Sequence, residues 1–272
     1  MLYCGLEVET HKLSNKYERI LEIMATNYIT MYKNVLTDML DRIHDTQQEN
    51  IDKVAQMMAD TIREGGSLYA FGPSHAGMIV EEMVYRAGGL ALMNPVHIAN
   101  LMPNCRPMNL TTSLERLPGF ATAYFERLNI KEGDFLLIHS VSARIPIVVE
   151  MAMQAKKHGV KLAGIVNLDF ATKVTSLDPS GKMMQEICDV VIDDCGEVGD
   201  ASIQIEGIDA KVAPTSTISG CFIANALVIR TCEKLLAAGV EPPVIRSGNI
   251  DGCNEKNAEL FKQYPGRIHY LN

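Results

Sequence analysis

Residues 67–77, Ser67-Leu68-Tyr69-Ala70-Phe71-Gly72-Pro73-Ser74-His75-Ala76-Gly77, carry the decision about the fold. A short apolar run breaks off at Gly-Pro and hands over to a helical stretch over about 78–86. A strand with no polar face has to be covered on both sides, the condition of a strand inside a parallel sheet. The unit recurs along the chain: residues 90–93 (LALM), then 135–138 (FLLI) before a helix over about 146–158, then 162–166 (LAGIV) and 190–192 (VVI). A further helix is expected near 119–128, inside the Pro-containing interval between the second and third runs. Strands alternating with helices predict an α/β protein with a three-layer, doubly wound, parallel five-stranded sheet covered on both faces.

Upstream, residues 1–16 read as a loose extension. From Tyr17 the pattern turns helical, with Ile20, Ile23, Met24, Tyr28, Met31, Val35, Leu36 and Met39 at helical spacings. The polar stretch 44–50, HDTQQEN, predicts a turn, with Thr46 as N-cap and Glu49 at the capping-box position of a second helix. That helix carries Ile51, Val54, Met57, Met58 and Ile62 and stops at Gly65-Gly66, so residues 17–64 predict an N-terminal helical hairpin. Its Met-rich stripe is suited to core or subunit packing. Downstream, residues 202–206 alternate, turn at Gly207-Ile208-Asp209 and return through Lys211-Val212, which predicts a small hairpin outside the main sheet. A largely apolar helix over about 216–238, ended by Gly239 and Pro242-Pro243, and a short amphipathic helix over about 254–264 complete the chain. Residues 17–272 thus read as a single domain, with 65–272 forming the α/β body and C-terminal helices.

The 272 residues are 47% hydrophobic and 21% charged, an ordinary globular composition. A net charge of −8 and the lack of Trp argue against a nucleic-acid partner held by bulk phosphate attraction or base stacking. Seven cysteines without a CxxC pair read as reduced thiols in a cytoplasmic protein. No stretch reads as a secretory leader, and the apolar run 218–229 is broken by Ser219 and Asn225 and too short to span a membrane. The histidines show no HxxxH or HxH spacing, so no metal is expected. Neither GxxxxGK[ST] nor GxGxxG occurs, which leaves P-loop and dinucleotide sites without support.

In an open parallel sheet the ligand sits beyond the carboxyl ends of the strands, where the strand order reverses. For order 2-1-3-4-5 that place is the gap between the first and third strands. The loops there are 72–77, GPSHAG, and 139–144, HSVSAR. Both bring hydroxyls to a helix start, where backbone N–H groups and the helix dipole favour a phosphate or carboxylate. Residues 213–219, APTSTIS, do the same before the last long helix. The candidate substrate-binding residues are Ser74, Ser140, Ser142, Arg144, Thr215, Ser216 and Thr217, although such hydroxyls also serve as plain N-caps. Glu81 and Glu82 stand in the otherwise apolar run GMIVEEMVY. A carboxyl on an apolar helix flank has a raised pKa and can shuttle a proton, while a surface pairing with Arg86 is the plainer alternative. His75 and His139 are candidate acid/base partners, or loop residues bonded to backbone.

These residues resemble the sugar isomerase (SIS) domain family: a strand ending FGPSHAG, a helix with Glu-Glu, and LLIHSVSARIP followed by AKKHGVKLAGIVN. EEMVYRAGGLA, DVVIDDCGEVGDA, KVAPTSTISG and EPPVIRSGNIDG are similar to a branch of stand-alone bacterial SIS proteins described as phosphosugar or phosphoheptose isomerases. The resemblance covers about residues 17–265. It implies a doubly wound sheet of order 2-1-3-4-5 that binds a sugar phosphate through Ser/Thr-rich loops. No cofactor is expected, because the substrate's carbonyl acidifies the neighbouring C–H bond, and the long N-terminal helices and apolar final helix suggest a homodimer or homotetramer. The family's second loop usually reads SNSGRN, and here both serines remain while Ala143 takes the glycine's place. The glutamate pair resembles the Ala-Glu-Glu of phosphoheptose isomerases, in which the second Glu is the base. The resemblance therefore assigns the base to Glu82, with Glu81 beside it, and His75 in the first loop is the candidate for ring opening or proton transfer at oxygen. It implies aldose–ketose isomerisation through an enediol, within carbohydrate metabolism. The alternatives are a non-catalytic phosphosugar sensor and a phosphosugar deaminase or lyase.

Overall fold

The computed structural model describes residues 26–271. Its main sheet is built from β1 (Leu68–Phe71), β2 (Met93–Pro95), β3 (Phe135–His139), β4 (Lys161–Val166) and β5 (Val190–Asp193), in the order β2-β1-β3-β4-β5. Neighbouring strands all run parallel, with Leu68 opposite both Met93 and Phe135, and Phe135 opposite Lys161. The expected order is the observed one. Successive side chains on a strand point to opposite faces, and this sorts the apolar runs into two layers. Leu68, Ala70, Phe135, Leu137, Ala163 and Ile165 enter one core. Tyr69, Phe71, Leu136, Ile138, Leu162 and Val166 enter the other.

Among the described residues the helices are α1 (Tyr28–Arg63), α2 (Met78–Met83), α3 (Leu110–Leu114), α4 (Phe120–Phe125), α5 (Pro146–Lys157), α6 (Leu168–Thr172), α7 (Ser216–Ala237) and α8 (Cys253–Lys262). The first core is closed by α1, α2, α7 and α8, the second by α3 to α6. A small antiparallel hairpin, β6 (Ala201–Ile203) with β7 (Val212–Pro214), lies outside the main sheet, as its alternating pattern predicts.

The expected turn at 44–50 is absent, because α1 runs unbroken for 36 residues. Its buried stripe passes through Met39, Ile43, Gln47, Ile51, Val54, Met58 and Ile62. Gln47 is tolerated there because its side-chain carbonyl accepts the backbone N–H of Asp193 at 3.1 Å. Thr46 caps nothing; its hydroxyl donates to the carbonyl of Arg42, one turn back, at 2.7 Å. The extension 1–16 and the start of the expected first helix lie outside the described residues.

Two further boundaries shift for tertiary reasons. The run 90–93 supplies only Met93 to β2, since Leu90 bridges antiparallel to Val244 and Ala91 N–H donates to the Pro243 carbonyl at 2.8 Å. Helix α2 stops at Met83 rather than near Arg86: Val84 is already extended and Tyr85 adopts φ +46°. Gly88 N–H then donates to Ile245. No helix among the described residues is long and apolar enough to cross a membrane.

Candidate functional site

The carboxyl ends of β1 and β3 lie side by side, and each feeds a loop into a helix. After β1, Gly72 and Pro73 lead into a 3-10 turn, Ser74–Gly77, that runs directly into α2. After β3, residues 140–145 lead to Pro146 at the first position of α5. Two non-glycine residues here hold left-handed backbone, Ser74 at φ +54° and Ala143 at φ +56°. Such conformations cost of order 1–3 kcal/mol each and persist where the surroundings impose them. At Ala143 the surroundings are visible: its N–H donates to the Ser140 hydroxyl oxygen at 3.2 Å and its carbonyl accepts from Met184 N–H at 2.9 Å.

Between the loops lies a cleft of about 300 Å³ whose walls include Ser74, His75, Ser140, Ser142, Glu115 and Asp200. The hydroxyls of Ser74 and Ser142, the His75 ring and the Glu115 carboxylate have no hydrogen-bond or ion-pair partner among the described residues. They are free to meet a ligand. Glu115 is half-buried, and that burial pushes its carboxyl above the usual range, with nearby Arg116 opposing in part. A larger hollow of about 520 Å³ exists elsewhere, lined by residues between Val240 and Tyr264. It contains no strand end and none of the unpaired hydroxyls, so the smaller cleft is the better candidate.

The start of α7 is already occupied. The Asp200 carboxylate accepts from Thr215 N–H at 2.9 Å, from Ser216 N–H at 2.8 Å and from the Ser216 hydroxyl at 2.8 Å. The anion expected at Thr215 and Ser216 is thus the chain's own aspartate, and these two residues fix the cleft's far wall instead of offering donors to a ligand. Thr217, half-buried, has no such partner among the described residues. Asp200→Ala is expected to lower the unfolding free energy by about 1–3 kcal/mol, the cost of leaving buried donors unmatched. Urea unfolding checks this, and an unchanged midpoint would mean that water replaces the carboxylate.

Beneath the first loop sits His139, fully enclosed at the end of β3. Burial drives its pKa down to about 4, against smaller upward effects from the Ala76 carbonyl and Asp200. The neutral ring donates from Nδ1 to the Ala76 carbonyl at 3.2 Å, and buried Nε2 has no partner among the described residues. Asp194, beyond the end of β5, is also fully buried and keeps one carboxylate oxygen unpartnered. Its pKa rises to about 7, chiefly through desolvation, although the Gly196 N–H bond pulls the other way.

Residues 31–167 match the SIS domain family. The chain belongs to the SIS-domain family. The UPF0309 protein of Shouchella clausii is 42% identical over 90% of this chain and 100% of its own length. That of Oceanobacillus iheyensis is 40% identical over 90% of this chain and 99% of its own. A phosphoheptose isomerase from Francisella tularensis is similar at a TM-score of 0.49 and 14% identity, covering 75% of this chain and 96% of that one.

Of the positions the sequence puts forward, this SIS fold gathers Ser74, His75, Ser140 and Ser142 around one cleft. It places Glu82 elsewhere: its carboxylate is ion-paired with Arg86 and accepts from the Asn225 side chain at 2.9 Å, on α7. Glu81 pairs with His97 at 3.5 Å. Neither glutamate lines the cleft, nor does Arg144, whose Nε is buried without a partner. Glu115 and Asp200 enter the walls unforeseen. Glu115 lies in the irregular interval between β2 and β3, and Asp200 lies in the loop before the hairpin. No local motif marks either as part of the site.

Proposed function

We propose that this SIS-domain protein is a cytoplasmic enzyme that binds a phosphorylated sugar in the β1–β3 cleft and interconverts its aldose and ketose forms through an enediol. The observation that carries the reading is the meeting of unpaired hydroxyls, Ser74 and Ser142, with an unpaired imidazole and carboxylate, His75 and Glu115, at the strand-order reversal. Hydroxyls and helix starts would hold the phosphate without a lysine or arginine in the wall. His75 would assist ring opening and proton transfer at oxygen. No cofactor is called for, because the substrate's carbonyl acidifies the neighbouring C–H bond. Exposed Ile218, Phe222, Ile229 and Leu236 along α7 support assembly as a homodimer or homotetramer.

The test is proton NMR in D2O with glucose 6-phosphate, glucosamine 6-phosphate, arabinose 5-phosphate and their ketose partners. Loss of a carbon-bound proton signal from one pair is the expected result. Saturable binding without exchange would favour the second reading, a phosphosugar sensor. The engagement of the Glu82 carboxylate by Arg86 and Asn225 speaks for that alternative. New products other than the paired sugar would point instead to a deaminase or lyase.

A further inference from the structure

We infer that Glu115, rather than either member of the Glu81-Glu82 pair, is the catalytic carboxyl that moves the substrate's carbon-bound proton; the inference rests on the isomerase reading above. Three observations carry it. Glu115 lines the same cleft as Ser74, Ser142 and His75, and Glu81 and Glu82 do not. Its carboxylate has no hydrogen-bond or ion-pair partner among the described residues, whereas Glu82 is held by Arg86 and Asn225, and Glu81 lies 3.5 Å from the His97 ring. An ion-paired carboxylate is a weak base, since the neighbouring cation stabilises the charge that proton uptake would remove.

The third observation is positional. The backbone carbonyl of Glu115 accepts the N–H of Ile147 at 3.1 Å. That ties the residue to the first turn of α5, the helix that the Ser140–Ser142 loop feeds. Just downstream, buried Glu150 of α5 accepts from Thr122 N–H at 3.2 Å and from Gly119 N–H. The segment carrying Glu115 is therefore fastened to the same element that carries the hydroxyl loop. The backbone that carries the carboxyl is thereby held beside the hydroxyl loop, which favours proton transfer at a positioned carbon. Burial also lifts the Glu115 carboxyl toward the range in which it can both take and return a proton.

In the step itself, Glu115 takes the proton from C2 of the open-chain aldose phosphate. The C–H electron pair becomes the C1–C2 double bond, and the carbonyl oxygen gains a proton from His75 or water. Glu115 then returns its proton to C1 while the C2 hydroxyl gives its own back to His75 or water, and the C2–O bond becomes the new carbonyl. Nothing is oxidised overall, and both groups end as they began.

The experiment uses the sugar phosphate that exchanges with the unaltered 272-residue chain. Glu115→Gln is expected to slow solvent exchange at least a hundredfold while binding weakens less than about threefold. Glu82→Gln is expected to keep most of the exchange. Glu115→Asp, which keeps the charge but shortens the reach, is expected to retain binding and a reduced rate. The acid limb of the unaltered protein's exchange rate should lie above the ordinary carboxylate range. Full exchange in Glu115→Gln, or loss confined to Glu82→Gln, would overturn the assignment and leave the isomerase reading standing. No exchange by the unaltered protein with any sugar tested would remove that reading and the role of Glu115 together.

Discussion

Gly72→Ala is expected to abolish saturable sugar-phosphate binding and to lower the unfolding free energy by about 3 kcal/mol or more. A Cβ on Gly72 would lie 2.4 Å from the carbonyl oxygen of Ala76, 2.6 Å from its carbon and 3.0 Å from the nitrogen of Gly77. All three are backbone atoms of the turn that follows, so no change of rotamer relieves the overlap. The turn is also fastened from two sides. Ala76 N–H donates to the Pro73 carbonyl at 3.1 Å, and the Ala76 carbonyl accepts from His139 at 3.2 Å. Making room for a methyl group means opening the turn, which draws Ser74 and His75 out of the cleft wall and strips His139 of its partner. Urea unfolding and calorimetric titration read the two effects separately. Ordinary stability with ordinary affinity would show that the loop is not held in this closed form.

The same loop shows why so much of the fold was legible beforehand. A strand buried on both faces has to be apolar throughout, so LYAF, FLLI and LAGIV announce themselves locally, and short polar loops mark their ends. The order 2-1-3-4-5 comes with the family resemblance, and general rules of parallel sheets then point to the gap between β1 and β3 as the candidate site. What escaped the sequence was settled by distant segments. HDTQQEN looks like a break, but Gln47 enters the buried stripe because the end of β5 supplies a donor to it. Residues 90–92 read as strand, but Leu90 bridges antiparallel to Val244 and the Ala91 N–H is taken by the Pro243 carbonyl. In the site, hydroxyl loops carry a local signature of small residues before a helix. A carboxyl such as Glu115 has none, since its place in the cleft depends on how the β2–β3 interval folds onto α5. Asp200 inverts the simple expectation at α7: the helix start does attract an anion, and the chain provides it.

Asp194 and His139 are expected to give stability slopes of opposite sign with pH, each spanning on the order of 3–4 kcal/mol. Desolvation raises the Asp194 carboxyl from 3.8 to about 7, so between those values the folded state holds a proton that the unfolded chain has released. Stability from this group is complete below pH 3.8 and is lost as pH rises through about 7. Burial lowers the His139 imidazole from 6.5 to about 4, so over that interval the unfolded chain holds the extra proton. Its contribution is complete above pH 6.5 and is lost as pH falls through about 4. Between pH 4 and 6.5 the two largely offset one another, and each variant exposes the other's slope. Asp194→Asn should gain stability relative to the unaltered protein as pH rises from 5 to 8, because a neutral amide needs no deprotonation. His139→Gln should gain relative to it as pH falls from 7 to 4. Urea unfolding across pH 4–8 measures both differences. A flat difference for Asp194→Asn would mean that water reaches its unpartnered oxygen, and a flat one for His139→Gln would mean the same of Nε2. Parallel slopes in the two variants would show that neither group is the source of the pH dependence.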